Sequence, residues 1–332
     1  MIYFIVNLSG GGGRAKRTWR KIKEAIKEYE DGIDDTIDYK AYLTKYAGHA
    51  TEIASKLSAK IKTKDPDSNI IAVVGGDGTI NEVLNGMDFK KMSLAVIPTG
   101  SGNDFVRGVK REQDTEKVVN KIIDADMNSE LNEEYFESID IGLCHFDDGS
   151  KRYFGISAGL GMDAIVCKKA LTSKLKKVLN KIGLGSLTYL AITVKTLFSM
   201  QDTDGELVYY VKDYSGKHVE TARLKFDRLI YSAFMNLTSE GGGVKMAPGA
   251  DYKDGKLNTC AAYGLSRFAA FCKLPFLTAG KHVGLKGFEV SAADKMEISL
   301  GEEFTCHTDG EYAGEHSHMV VTCEKGVLRL LK

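Results

Sequence analysis

An unbroken apolar run, Ile70-Ile71-Ala72-Val73-Val74, stops abruptly at Gly75-Gly76-Asp77-Gly78-Thr79. A strand apolar on both faces must be covered on both faces, the condition of a parallel sheet flanked by helices. The same rhythm recurs around it. Ile2–Val6 ends in Asn7-Leu8-Ser9-Gly10-Gly11-Gly12-Gly13, and Trp19, Ile22, Ile26 and Tyr29 follow at helical spacing. A second strand, about Ile37–Leu43, ends at Thr44, and Ala50, Ile53, Ala54 and Leu57 share one face of the next helix. Leu94–Ile97 is stopped by Pro98. Strand and helix in alternation predict an α/β N-terminal domain with an open parallel sheet, over residues 1–132.

Beyond it the period changes to two. Phe136–Ile141, Tyr153–Ser157, Glu206–Val211, Arg228–Phe234, Leu257–Ala262 and Met296–Leu300 read as short strands, interrupted by a helical region over Ala164–Met200. The expectation is a mostly antiparallel, β-rich C-terminal domain over 133–332, with the run at about 320–331 able to return to the first domain. The chain carries 45 basic and 45 acidic side chains, so its formal net charge of zero argues against a nucleic-acid partner. That balance conceals an acidic stretch, Ile122–Ser150, and a basic one, Ala164–Gln201, with seven lysines and no acid. Six scattered cysteines without a C-x-x-C pair read as free thiols of a reducing compartment. No signal-peptide pattern opens the chain, and the uncharged stretch Ile182–Val194 is shorter than the ~20 residues a bilayer requires. The expected location is cytoplasmic.

Ligands of an open α/β sheet bind beyond the carboxyl ends of its strands. Three polar or glycine-rich loops fall there: Asn7–Gly13, Gly75–Thr79 and Pro98–Asp104, with Thr44 at the same edge. Glycines let backbone N–H groups approach a phosphate closely, and a helix N-terminus adds positive potential. Thr79 and Thr99 offer hydroxyls, and Asp77 can position a magnesium-bound nucleotide. There is no G-x-x-x-x-G-K-[ST] of a P-loop enzyme. Gly10–Ala15 formally fits a dinucleotide fingerprint, but Thr44 stands where that site needs an acid.

Gly75–Thr79 with Asn81-Glu82 resembles the nucleotide loop of the diacylglycerol kinase catalytic-domain superfamily, which NAD kinases and phosphofructokinases share. Pro98-Thr99-Gly100-Ser101-Gly102-Asn103-Asp104-Phe105, with Arg107, is similar to the P-x-G-T-x-N-D-x-A-R signature of bacterial diacylglycerol kinase-like lipid kinases, relatives of sphingosine kinases. The likeness continues through Thr44–Ala50, Gly159–Ala164, Gly241–Gly243, Ala247–Ala250, Asp254–Leu257 and Asp309-Gly310-Glu311, in the family's order. Leu8, Ser101 and Val106 replace the proline, threonine and alanine usual there.

The resemblance implies an NAD kinase/phosphofructokinase-like first domain and ATP- and Mg2+-dependent phosphorylation of a lipid hydroxyl, with the nucleotide in the cleft between the domains. Its nucleotide residues would be Asn7, Ser9, Gly10, Gly11, Gly12, Thr44, Gly75, Gly76, Asp77, Gly78, Thr79, Glu82, Thr99, Gly100, Asn103 and Asp104. Asp309 would be the general base, with Glu311 orienting it or sharing the role. The Asp254 carboxylate, with the carbonyls of Asp251 and Lys256, would hold a structural magnesium. His316-x-His318, near His307 in sequence, reads as an exposed loop rather than a zinc site. The expected partners are a membrane lipid such as diacylglycerol and, transiently, the inner membrane face, with a homodimer left open. Lys168, Lys169, Lys174, Lys176, Lys177 and Lys181 before Ile182–Val194, and less strongly Ala269–Phe276, are the surfaces expected to meet it. The alternatives are an NAD kinase-like small-molecule kinase and a catalytically inactive nucleotide- or lipid-binding regulator.

Overall fold

The computed structural model describes residues 1–128, 132–172 and 185–332, in two compact units. The first unit is Met1–Ile141 together with Lys325–Lys332; the second is Gly142–Glu324.

In the first unit, strands β1 (Ile2–Val6), β2 (Tyr39–Leu43), β3 (Ile70–Gly75) and β4 (Ser93–Pro98) form a parallel sheet in the order β2-β1-β3-β4. The registers Val6↔Leu43, Val6↔Val74 and Val74↔Ile97 bring the carboxyl ends of the strands to one edge. Every residue of β1 and β3 is buried, as the two-sided apolar pattern requires. Helix α1 (Arg14–Ile33) lays Ala15, Ile22, Ala25 and Ile26 inward; α2 (His49–Lys60) does so with Ala50, Ile53, Ala54 and Leu57. Helix α3 (Asp77–Leu84) starts inside the glycine motif, so Asp77, Gly78 and Thr79 form its first turn. Helices α4 (Asp104–Gly108), α5 (Thr115–Met127) and α6 (Asn132–Tyr135) follow. The end of the final strand lies parallel to β4 at Leu330↔Leu94. There Arg329 Nη2 donates to the buried Asp67 Oδ2 at 2.6 Å.

Strands β5 (Phe136–Phe146), β6 (Lys151–Phe154) and β7 (Ser157–Gly161) lead into α7 (Met162–Thr172). The loop Gly155-Ile156 separates β6 from β7 within the single strand read over Tyr153–Ser157. Helix α8 (Gly185–Ser199) is followed by β8 (Thr203–Lys212), β9 (His218–Leu229), β10 (Tyr231–Met235) and β11 (Leu257–Ala262). Next come α9 (Arg267–Thr278), the two-residue strands β12 (Phe288–Glu289) and β13 (Ala292–Ala293), then β14 (Lys295–Thr308) and β15 (Glu311–Leu331). The second unit's pairs β7–β10, β10–β11, β14–β15, β14–β7, β14–β8 and β8–β9 are all antiparallel. One of its cores gathers Phe154, Leu160, Leu207, Phe234, Met296 and Ile298; another gathers Met162, Tyr231, Met235 and Met246. The helical region read over Ala164–Met200 corresponds to α7 and α8. Lys174, Lys176, Lys177, Lys181 and the first residues of Ile182–Val194 lie outside the described residues.

All six cysteines are free thiols. The reading of His316 and His318 as an exposed loop is corrected: both lie on β15. His316 is buried, stacked on Phe146 with centroids 4.4 Å apart, and its Nδ1 bonds Asp147 at 2.6 Å. His318 Nδ1 bonds Ser299 Oγ at 3.0 Å. Strand pairing orders both rings, a long-range effect that a polar, histidine-rich run does not announce.

Candidate active site

At the carboxyl edge of the first unit's sheet the three loops touch. Asn7 N–H donates to Val74 O at 2.9 Å and Thr99 N–H to Gly75 O at 2.8 Å, extending the sheet into the loops. Asn7 Nδ2 donates to Thr79 Oγ1 at 3.0 Å, and its Oδ1 accepts Ser9 N–H at 3.1 Å. Gly11 has φ +62°, and a Cβ there would lie 2.0 Å from the Thr99 carbonyl oxygen. A Cβ on Gly76 would lie 3.0 Å from Gly100 Cα. Arg14 spans the first and third loops, donating to Gly11 O at 3.1 Å and Gly100 O at 2.9 Å. The backbones therefore approach as only side-chain-free residues permit.

Asp77 turns toward the third loop. Its Oδ2 accepts Asp104 N–H and its Oδ1 accepts Phe105 N–H, each at 3.1 Å. Asp104 itself pairs with Arg107. Both carboxylates stand 3.3 Å from where a Cβ of Gly102 would be. Thr99 Oγ1 and Asn103 Oδ1 are buried without a hydrogen-bond partner among the described residues. An unpaired buried hydroxyl is costly unless a ligand completes it, so this edge fits the phosphates of a nucleotide. Thr44 joins the edge through its N–H to Val6 O at 2.9 Å. Glu82 faces elsewhere: its oxygens accept Gly48 N–H at 2.8 Å and Ala50 N–H at 3.0 Å, fixing the entry to α2.

In the second unit, Asp309 and Gly310 form the tight turn from β14 to β15, with φ +51° and +81°. Aspartate is among the few non-glycine residues that tolerate this left-handed region. The turn is held from β7 and the loop before it. Asp309 N–H donates to Ser157 O at 2.8 Å. Asp309 Oδ1 accepts Ile156 N–H at 2.8 Å and Ser157 N–H at 3.0 Å; Oδ2 accepts Gly155 N–H at 2.9 Å. Buried Asn236 secures that loop by donating Nδ2–H to Gly155 O at 2.9 Å. Glu311, half-buried, begins β15 next to the turn.

Behind it lies a polar cluster that sequence reasoning missed. His307 is buried, its Nε2 3.2 Å from Asp163 Oδ2, and its Nδ1 accepts Gly310 N–H at 3.1 Å. Ser157 Oγ donates to Glu240. Burial pushes the His307 ring toward its neutral form. The Asp163 carboxylate, with Glu240 and Asp309 beyond it, pulls the other way, toward the charged form. The one available signal was Asp163 within Gly159–Ala164; its partner lies 144 residues away.

The turn at Asp251–Leu257 is separate. Asp251 Oδ1 accepts Lys253 N–H at 3.0 Å, Asp254 Oδ1 accepts Lys256 N–H at 2.8 Å, and Asp254 N–H reaches Asp251 O at 3.4 Å. Its donor set is entirely oxygen and includes two carboxylates, which suits a hard cation. Of the basic cluster, Lys168 Nζ is 2.7 Å from Glu315 and lies over the Tyr312 ring, while Lys169 Nζ donates to Thr196 Oγ1. Helix α9 leaves Phe268, Phe271 and Phe276 exposed at 70%, 40% and 48%. Among the described residues, no helix is long and apolar enough to cross a membrane.

The arrangement matches known proteins along nearly the whole chain. The family model of the diacylglycerol kinase catalytic domain matches residues 1–129, and that of the YegS C-terminal NAD kinase beta sandwich-like domain matches 156–332. A diacylglycerol kinase of Bacillus subtilis (strain 168) is 26% identical over 322 residues, covering 92% of each chain. A diacylglycerol kinase of Staphylococcus carnosus (strain TM300) is 27% identical over 299 residues, covering 89% of this chain and 84% of that one. The crystal structure of a diacylglycerol kinase from Bacillus anthracis str. Sterne has the same fold, with TM-score 0.66, 21% identity and coverage of 99% of this chain and 96% of that one. With both family models matched in order on these two units, the chain belongs to the diacylglycerol kinase-like lipid kinases.

Proposed function

We propose that this lipid kinase transfers the γ-phosphoryl group of ATP to the hydroxyl of a diacylglycerol-type membrane lipid. The observation that carries the reading is the Asp309 carboxylate, fixed by three backbone N–H groups in the unit that matches the family's C-terminal domain. Relatives named diacylglycerol kinase support the choice of acceptor.

The first unit's loops hold the nucleotide. Backbone N–H groups within the Gly10–Gly13 and Gly75–Thr79 loops that the loops do not themselves engage, and the Thr99 hydroxyl, donate to phosphate oxygens, charge stabilisation being what phosphoryl transfer asks of a protein. Asp77 and Asp104 are the carboxylates nearest the loops that would hold a nucleotide-bound Mg2+, and the Asp254 carboxylate with the carbonyls of Asp251 and Lys256 would hold a structural one. Magnesium, when bound, neutralises charge on the phosphates. The acceptor oxygen forms a bond to the γ-phosphorus, the bond to the β–γ bridging oxygen breaks, and the lipid's proton passes to Asp309 as ADP leaves. The three backbone N–H groups orient the Asp309 carboxylate. Glu311 shares the acidic turn.

The enzyme visits the inner face of the membrane from the cytoplasm. Helix α9 is the favoured contact: no acid occurs from Arg267 to Phe288, and three phenylalanines stand exposed among Lys273, Lys281 and Lys286. The test is transfer of label from γ-labelled ATP in Mg2+ to micellar diacylglycerol, a sphingoid base, or NAD+ offered separately. Labelled phosphatidic acid is the expected product. Labelled NADP+ would favour the NAD kinase-like reading, and no transfer to any acceptor would favour a binding protein.

A further inference from the structure

Asp163, Glu240 and His307 bring one ligand atom each to within 4.8 Å of one another, next to the Asp309 turn. The donor types suit a divalent cation; the hydrogen bonding assigns them a different task. Gly310 N–H is directed at His307 Nδ1 from 3.1 Å, so Nδ1 is an acceptor. A neutral imidazole with Nδ1 accepting carries its proton on Nε2. That nitrogen faces Asp163 Oδ2 at 3.2 Å and has no lone pair left for a metal. The surrounding carboxylates favour a second ring proton, but on Nδ1 it would oppose the Gly310 N–H directly. The position of that N–H places the ring in its neutral form.

We infer that His307 is a positioning residue, held by Asp163 in the Nε2–H tautomer so that Nδ1 grips Gly310 N–H and fixes the turn that presents Asp309. Two further observations support it. Register pairs His307 with Gly159 across β14 and β7, and a Cβ on Gly159 would lie 2.2 Å from Asp163 Oδ2 and 2.7 Å from His307 Nε2. The strand thus lacks a side chain where the Asp163–His307 contact is made. Opposite, Ser157 binds Asp309 through its backbone N–H and C=O while its hydroxyl is tied to Glu240. The turn is therefore gripped on both sides, Asp309 by Ser157 and Gly310 by His307.

The inference rests on the proposed role of Asp309, and the test separates the two. His307→Asn places an amide oxygen where Nδ1 was and keeps the grip on Gly310; His307→Leu fills similar space without an acceptor. Asp163→Asn lets an amide N–H donate to Nε2, which drives the ring to the wrong tautomer. The expected result is a loss of kcat of about 10²-fold in His307→Leu and Asp163→Asn, as for a slightly misplaced reacting group. The KM for ATP stays unchanged, and His307→Asn recovers most of the loss at a melting temperature no higher than that of His307→Leu. Nitrogen NMR of the wild-type imidazole, which needs no lipid substrate, is expected to show a proton on Nε2 and none on Nδ1 at neutral pH. A protonated Nδ1, a near-normal kcat in His307→Leu, or a His307→Asn as impaired as His307→Leu would overturn the inference. A wild-type protein inactive on every lipid, with the expected imidazole spectrum, would instead count against the proposed function.

Discussion

Single residues decide whether the three loops can meet at the sheet edge. Gly11 lies at φ +62° with the Thr99 carbonyl where its Cβ would be. Gly11→Ala therefore combines left-handed strain with a backbone clash, a cost of about 1–3 kcal/mol from the strain alone. Thermal unfolding should register that loss, and an ATP titration should show weakened binding because the first and third loops are forced apart. Unaltered ATP affinity would mean that the loop contact does not shape the site. Glycines at strand ends were readable as loops of one sheet edge because their placement follows from strand periodicity. Glu82 was legible only as a residue of that motif; that its oxygens serve Gly48 and Ala50 depends on how α3 packs beside α2. Ser157, Asn236 and Glu240 were not readable at all. They meet Asp309 or its loop only after strands far apart in sequence have paired.

At the scale of elements, the parallel sheet was legible because strands buried on both faces have few other homes. The second unit was harder. Its strand positions emerged from alternation, but β9, mostly exposed and rich in charge, left only a weak apolar signal. Helix α9 illustrates how an element acquires a role that periodicity does not state. Ser266 caps it by accepting Ala269 N–H at 3.2 Å, yet Phe268, Phe271 and Phe276 face outward. Replacing these three by serine should reduce binding to anionic vesicles by more than about tenfold, since burying even one exposed phenylalanine is worth about 1.5–3 kcal/mol. The melting temperature and ATP affinity should hold, because the side chains lie outside the core. Unchanged vesicle binding would remove α9 as the membrane contact. Lys168 and Lys169 are less suited to that role, being engaged by Glu315, Tyr312 and Thr196.

Across the whole molecule the chemistry is divided between the units. Met1–Ile141 with Lys325–Lys332 carries the loops proposed to hold the nucleotide, and Gly142–Glu324 carries Asp309, its N–H cradle and the His307–Asp163 pair. Family likeness assigned roles to residues of both units from short motifs. What it did not contain is the means by which a turn in the left-handed region is held in place. The most direct test of the account compares wild type with Asp309→Asn for transfer of labelled phosphate to diacylglycerol, with ATP binding measured on both. The account predicts wild-type ATP affinity and an intact fold in the variant, with turnover reduced by about 10²–10⁴-fold, the usual cost of removing a general base. Near-normal turnover by Asp309→Asn would contradict it.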